Sequence, residues 1–310
     1  MESTLIKYSE KFLSLQGEGM HTGVPTVWLR LFACNLNCDG FGQDNPRDKS
    51  TYQLPYKDID IKKINMIEDI PVLTKGCDSS YSWSAKFKHL QHEDTAENIV
   101  NGLVKLVNRD NLHSSFRGHR LRNPYHLCFT GGEPLLKINQ KAIVSVLKEY
   151  KKNHLNELPS NITFETNGTQ LIGDDLLNEL MDKDIDNIVH TLLSFSPKLF
   201  SVSGEPAARA LKPEIIAKNI DMLGNRCDFR LKFVLNKDPQ AWKEMENFLD
   251  KLAVVMDYEY VRNHVYIMPV GADKDSQENI AGDIADMAVS KGYKVSARVH
   301  AYLWNNPVGK

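Results

Sequence analysis

The amino-acid sequence predicts an α/β protein, a partial, open TIM-like barrel of about six strand–helix units. Three observations carry that reading. Six short apolar runs of strand length fall along the chain, at 26–33, 125–130, 161–166, 188–196, 228–235 and 264–268. Between them lie segments whose apolar residues recur at helical spacing. The units number six, which suffices for an open barrel and falls short of the eight that close one.

Each element has its own signature. The first run, Thr26 to Ala33, is dominated by branched and aromatic residues that favour a pleated, half-buried surface. The stretch 94–108 is amphipathic, with Asp94 and Glu97 spaced as a helix cap and its reciprocal partner. Run 125–130 leads to a helix over 139–152, and run 161–166 to one over 174–181. Helices over 213–223, 238–252 and 276–291 follow the last three runs, and 294–304 reads as a final strand and a turn. One segment breaks the rhythm. Residues 39–76 carry turn formers at Gly40, Gly42, Asn45-Pro46, Pro55 and Pro71 around a mixed middle, too long for an ordinary connection. The expectation is one domain over 1–310 with 39–76 inserted as a lid or a structured excursion.

Composition narrows the function class. The chain has 310 residues, 42% hydrophobic and 25% charged, which excludes a disordered chain or a collagen-like fibre. Its 38 basic and 40 acidic side chains give a net charge of -2, which argues against direct binding to nucleic acid. No run approaches the roughly 18 apolar residues of a membrane helix. Residues 1–8 lack a signal core, so a cytoplasmic protein is expected. Five cysteines are too few, and odd in number, for a disulfide framework.

Cys34-Asn35-Leu36-Asn37-Cys38 follows directly on the first strand, placing two thiolates where they can converge on one metal centre. Cys128 and Cys227 lie in apolar runs and read as buried hydrophobes. Cys77 lies in a polar turn, Gly76-Cys77-Asp78-Ser79, from which the insertion can return it to the first pair. Three soft thiolates suit a 4Fe–4S cluster with one open iron. A zinc site completed by a histidine is the competing reading. Further on, Thr130-Gly131-Gly132-Glu133-Pro134 joins a strand to a helix, and its glycines let backbone approach a ligand closely. A tight turn with a solvated acid is the plainer alternative.

Together, Cys34, Cys38 and the Gly-Gly-Glu-Pro turn at 131–134 resemble the radical S-adenosylmethionine enzymes. In that family three cysteines hold a 4Fe–4S cluster whose open iron binds S-adenosylmethionine. Cleavage of the sulfonium yields a radical that abstracts hydrogen from the substrate. The family's usual spacing is three residues and then two, whereas 38 residues separate Cys38 from Cys77 here. Further segments are similar to one member group, the 7-carboxy-7-deazaguanine synthase family. These are Ser14-Leu15-Gln16-Gly17-Glu18-Gly19, Leu29-Arg30-Leu31, Cys77-Asp78-Ser79 with Trp83, Glu165-Thr166-Asn167-Gly168-Thr169, Ser196-Pro197-Lys198, and Arg298-Val299-His300 with Trp304. Only 39–76 lacks a counterpart.

That resemblance implies a reaction and a site. The family contracts 6-carboxy-5,6,7,8-tetrahydropterin to 7-carboxy-7-deazaguanine with loss of ammonia, in queuosine-type biosynthesis. Cys34, Cys38 and Cys77 would hold the cluster, and the Ser79 hydroxyl would hold Mg²⁺, which prefers hard oxygen. Arg30 would take the substrate carboxylate as a fork. Leu15, Gln16, Gly17, Glu18, Thr130 and His300 would face the pterin. Gly76, Asp78, Gly132, Glu133, Ser196, Pro197 and Lys198 would contact S-adenosylmethionine. Glu165 would position the substrate or manage a proton. Arg298, His300 and Tyr302 alternate as on one face of an extended segment. A flavodoxin-like electron donor and a homodimer come with the family. The rival readings are a radical activase of a partner enzyme, a deazaguanine-binding protein without catalysis, and a non-catalytic zinc or iron–sulfur protein.

Overall fold

A computed structural model describes residues 5–108, 125–182, 185 and 189–310. The first four residues of the N-terminal stretch and Ile188 of the fourth apolar run lie outside the described residues. The strands are β1 Ile6–Leu15, β2 Pro25–Leu31, β3 His92–Asp94, β4 His126–Gly131 and β5 Asn161–Thr166. They continue as β6 His190–Phe195, β7 Cys227–Leu235, β8 Val265–Pro269 and β9 Lys294–Val295. Among the described residues these form one sheet in the order β3-β1-β2-β4-β5-β6-β7-β8-β9. Strand β2 pairs parallel with β4, and each strand from β4 through β9 is parallel to the next. The sheet is unclosed, with β3 at one edge and β9 at the other. The fold is therefore the open α/β barrel that the six apolar runs imply.

Helices cover the sheet because each presents one apolar stripe. Helix Ala96–Asn108 buries Ile99, Val100, Leu103 and Val107, spaced by three and four residues. Helix Lys137–Asn153 buries Ile143, Val144, Val146, Leu147 and Tyr150. Strand β4 is buried at five consecutive positions, as expected of a parallel strand enclosed on both faces. Phe129 and Phe164 meet across β4 and β5 with ring centroids 5.5 Å apart.

Two expectations need correction, and one strand goes unannounced. Strand β1 pairs antiparallel with β2, and the sequence does not announce it because buried Ser9 and Glu10 interrupt its apolar pattern. The hydroxyl that caps helix Ala96–Asn108 belongs to Thr95, which accepts from the Asn98 N–H, while Asp94 holds the Asn98 side chain. The C-terminal segment is helical over Val299–Trp304, so Arg298, His300 and Tyr302 do not alternate along a strand.

Within 39–76 the chain forms short turns and a single-turn helix, Pro55–Asp58. Tyr56, Ile64, Ile67, Ile70 and Leu73 bury against Tyr81, Phe87 and Leu90, giving this region an apolar cluster of its own. That cluster holds Pro71–Thr74 over the ends of the strands, where those residues help wall the cavity described below.

At the opposite end of the sheet His126 opens β4, with its ring edge-on to His21 at 4.6 Å. Burial, and then the neighbouring His21 and His190, push its pKa down to about 4. The unfolded ring binds its proton near pH 6.5, so this stability is full above that value and is lost as pH falls toward 4. We expect His126→Phe to flatten the fall in thermal midpoint between pH 6.5 and 4.5, removing on the order of 2 kcal/mol of pH-dependent stability. Thermal melts at stepped pH measure it, and parallel curves for both proteins would contradict it.

Candidate active site

A cavity of about 280 Å³ opens at the C-terminal ends of the parallel strands, the end where barrel enzymes carry their chemistry. Arg30 enters it from β2, Thr130 to Gly132 from the end of β4, and Glu165 from β5. Ser196 and Lys198 follow β6, and Lys232 points in from β7. Residues 71–74 and 306–310 wall its outer side.

Around this cavity the charges alternate. Lys232 Nζ lies 2.7 Å from Glu165 Oε2 and 3.0 Å from Glu18 Oε2. Glu18 Oε1 accepts from Arg298 Nε at 3.0 Å, and Arg298 Nη2 donates to Asp78 Oδ2 at 2.7 Å. The Ser79 hydroxyl donates to Asp78 Oδ1 at 3.1 Å and accepts from Arg30 Nη1 at 3.3 Å. Arg30 Nε then meets Glu10 Oε1 at 2.6 Å, and the Tyr81 hydroxyl donates to that same oxygen. Gln16 closes the other end, donating to Glu165 Oε1 at 3.1 Å.

Burial makes this alternation obligatory. Lys232 is 2% exposed, and an isolated ammonium there would lose its proton rather than its water. Burial pulls its pKa down, but Glu165 and Glu18 more than reverse this and hold the ammonium charged. Burial likewise raises Glu18 and Asp78, and the cations beside them win, so both fall below the usual carboxylate range. His300 goes the other way. Burial and then the Arg298 guanidinium 3.3 Å from its Nε2 push its pKa down to about 4, leaving a neutral ring.

Cys34, Cys38 and Cys77 gather beside this ring with Leu36, Phe41 and Ala210. The turn that carries the first two is bent at both ends, with Ala33 at φ 90° and Cys38 at φ 55°, where a side chain is uncommon. The peptide N–H of Leu36 points at Cys34 Sγ from 3.4 Å. Burial raises all three thiols, Cys34 to about 12 and Cys77 to about 11. Nearby Lys198 works against that rise at each of them, and Trp83 and the Ser79 N–H do so at Cys77. A cation and N–H donors aimed at sulfur are the surroundings that thiolate ligands of an iron–sulfur cluster require. Among the described residues no three His, Cys, Asp or Glu side chains stand close enough to share one metal ion. A cluster, which spreads its ligands over separate irons, fits this wider triad better than a lone zinc.

The glycine turn explains how the cysteine turn and β4 meet. A Cβ on Gly132 would lie 2.3 Å from the Ala33 carbonyl oxygen and 2.5 Å from Cys34 Cβ. Without one, the Glu133 N–H reaches the Ala33 carbonyl at 2.9 Å. Glu133 itself does not line the cavity. Its carboxylate is fully buried and accepts from the Leu135 N–H, the Thr166 hydroxyl and the Asn167 N–H, at 2.7–2.8 Å. Burial raises its pKa to about 7 against those donors. The expectation that this side chain offers an open acceptor to a ligand is corrected: it staples β4 to β5.

No family model matches the chain. A 7-carboxy-7-deazaguanine synthase of Halobacterium salinarum is 28% identical over 96% of this chain and 90% of its own length. That of Hyperthermus butylicus is 27% identical over 96% and 92%, and that of Rhodopirellula baltica 25% over 99% and 90%. The chain is similar over nearly its whole length to these 7-carboxy-7-deazaguanine synthases. Among solved structures, QueE from Escherichia coli superimposes with a TM-score of 0.48 at 17% identity, covering 96% of this chain and 95% of that one.

The fold gathers most of the residues singled out from the sequence. Leu15, Gln16, Gly17, Glu18, Arg30, Gly76, Asp78, Ser79, Thr130, Gly132, Glu165, Ser196, Lys198 and His300 all line one cavity, with Cys38 and Cys77. Cys34 and Pro197 stand outside its lining, Cys34 behind Gly132. Sequence reasoning missed Lys232, Glu10 and the Arg298–Asp78 pair. For Lys232 a signal existed. Phe229, Leu231 and Phe233 alternate into the core, which turns a lysine between them toward the barrel interior.

Lys232→Met leaves Glu18 and Glu165 facing each other without their shared cation. Breaking a buried pair this way costs about 3–5 kcal/mol. Adding Glu165→Gln should restore part of that loss, and chemical unfolding of the single and double variants reads the coupling. Additive losses would mean that the two side chains do not interact.

Proposed function

We propose that this chain is a 7-carboxy-7-deazaguanine synthase, a carbon–nitrogen lyase that contracts 6-carboxy-5,6,7,8-tetrahydropterin with loss of ammonia. One observation carries the reading: the three thiols gather together, and two of them, Cys38 and Cys77, line one cavity with the charge ring of Arg30, Ser79, Asp78, Arg298, Glu18, Lys232 and Glu165. Relatives of that name, matched over nearly their whole length, support it.

Cys34, Cys38 and Cys77 would hold a 4Fe–4S cluster, with S-adenosylmethionine along Gly76, Asp78, Gly132 and the Ser196–Lys198 segment. When bound, these groups supply the one-electron cleavage that begins hydrogen abstraction from the substrate. The protein's own part is placement. Arg30 has its Nε on Glu10 and its Nη1 on Ser79, so the guanidinium is fixed flat in the wall, ready to meet a carboxylate edge-on. Neutral His300 offers a ring nitrogen rather than a second charge. Gln16, Glu18 and Thr130 present donors and acceptors to the heterocycle's polar edge. Glu165 Oε1 and Oε2, held by Gln16 and Lys232, form the site at which a proton leaving ring carbon is received. Mg²⁺ would bind at Ser79 Oγ beside Asp78 Oδ1, the hard oxygens at hand, with the substrate completing its shell. Residues 71–74 and 306–310 wall the outer side of the cavity.

The likeness to relatives named as synthases, matched over nearly their whole length, favours this reading over an activase. The single-domain reading with 39–76 as an insertion, a flavodoxin-like electron donor, a homodimer, a cytoplasmic location and the lack of direct nucleic-acid contact complete the proposal.

Reconstituted protein is assayed without oxygen with S-adenosylmethionine, reductant, Mg²⁺ and the carboxylated tetrahydropterin, beside Cys77→Ala and Glu165→Gln. Mass spectrometry should find 7-carboxy-7-deazaguanine from the wild type and none from Cys77→Ala. Glu165→Gln should turn over at least about 100-fold more slowly. Cleavage of S-adenosylmethionine without that product would overturn the substrate, and a colourless, zinc-bearing protein would overturn the cluster.

A further inference from the structure

The turn that carries Cys34 and Cys38 is held by a carboxylate that belongs to neither the glycine turn nor the charge ring. Glu205 follows the single-turn helix Phe200–Ser203 and is 4% exposed. Its Oε1 accepts from two successive peptide groups, the Asn37 N–H at 2.7 Å and the Cys38 N–H at 2.8 Å. Two adjacent N–H groups converging on one oxygen form an anion-binding nest. Here the protein supplies the anion itself. Cys38 is the residue held at φ 55°, and the backbone before Glu205 also takes the Gly40 N–H on the Ser203 carbonyl at 2.9 Å. The carboxylate therefore clamps the turn on the N-terminal side of its strained position, and the Ser203 carbonyl holds the chain two residues beyond it.

Arg209 is the counter-charge. Its Nη1 lies 3.9 Å from Glu205 Oε2, and its Nη2 donates to the Asn35 carbonyl in the same turn. Arg209 is half exposed, with 52% of its side chain accessible, while Glu205 is buried, so water screens the cation far more than the anion. At Cys38 Sγ the Glu205 carboxylate opposes ionisation of the thiol, against the nearby Lys198 ammonium that favours it.

From this geometry we infer that Glu205 is a positioning residue for the cluster: it fixes the Cys34–Cys38 turn in ligating shape and makes the cluster harder to reduce. The inference rests on the reading of Cys34, Cys38 and Cys77 as cluster ligands. A fixed anion near a cluster disfavours the added electron, just as hydrogen bonds to sulfur favour it. The two roles separate cleanly. Glu205→Gln keeps an oxygen for both N–H groups and discards the charge, whereas Glu205→Ala discards both.

The test uses the full chain, without and with its cluster. Hydrogen exchange at the Asn37 and Cys38 amides is measured first on the cluster-free protein. It should be as slow in Glu205→Gln as in wild type and at least tenfold faster in Glu205→Ala. Iron and sulfide analysis after reconstitution should give full loading for wild type and Glu205→Gln and reduced loading for Glu205→Ala. Potentiometric titration followed by electron paramagnetic resonance should show Glu205→Gln about tenfold easier to reduce, which is about 59 mV for one electron. Arg209→Met, which removes the cation, should shift the other way and by less. An unchanged potential in Glu205→Gln would overturn the electrostatic role, and unchanged exchange in Glu205→Ala would overturn the clamp. A wild type that loads no cluster would instead sink the ligand assignment, and the exchange data would still decide the clamp.

Discussion

The buried ammonium of Lys232, between Glu18 and Glu165, is the contact on which the interior of this barrel depends. A charge at that depth survives only when its partners lie within hydrogen-bond reach, and each partner passes the constraint along. Glu18 needs Arg298 on its second oxygen, Arg298 needs Asp78, and Asp78 is joined through Ser79 to Arg30 and Glu10. The chain of contacts links β1, β2, β5 and β7 with the loop after Cys77 and the start of the C-terminal helix. An open sheet has no hydrogen-bonded closure across its mouth. In this protein side-chain charge does part of the joining that a closing pair of strands would do.

That arrangement also reconciles a hydrophobic barrel with a polar substrate site. The phenylalanines of β4, β5 and β7 are buried away from the cavity, whose lining sets Arg30, Thr130, Glu165 and Lys232 among Phe12, Trp28, Val234 and Met268. Because the charged groups already satisfy one another, the cavity is preorganised before any ligand enters. A ligand entering such a cavity meets an existing set of contacts, which lowers the reorganisation demanded at binding.

Much of this was legible in the sequence, and the reasons for the rest are physical. Six of the seven parallel strands declare themselves because strands buried on both faces must be nearly continuous runs of apolar residues. Strand β1 does not, since the buried polar residues Ser9 and Glu10 break its apolar run, Glu10 serving Tyr81 and Arg30. The cysteine turn, the glycine turn and Glu165 are visible as motifs because their chemistry needs particular residues at fixed local spacing. Lys232 and Glu205 belong to no local motif. Their meaning comes from partners 67 and 167 positions away, Glu165 and Cys38, and only the folded chain brings those together. Glu133 illustrates the converse. Its motif is recognisable, yet burial turns the carboxylate from a ligand into a staple.

Glu133 and Glu205 together suggest how the cysteine turn keeps its shape when burial would drive its thiols to stay protonated. Each is a buried carboxylate that accepts peptide N–H groups, Glu133 from the segment after β5 and Glu205 from the turn itself. Glu133 also sends its own N–H to the Ala33 carbonyl, at the entrance to the turn, while Glu205 grips its exit at Cys38. The two residues with positive φ, Ala33 and Cys38, are thus the two that are pinned. Strain of this kind persists only where surrounding contacts over-determine it. Relaxing either end would let the turn straighten and carry one sulfur away from the others. The anions that raise the cost of ionising these thiols are therefore the same groups that keep them in register. Lys198, which lowers that cost at all three, supplies the balancing charge.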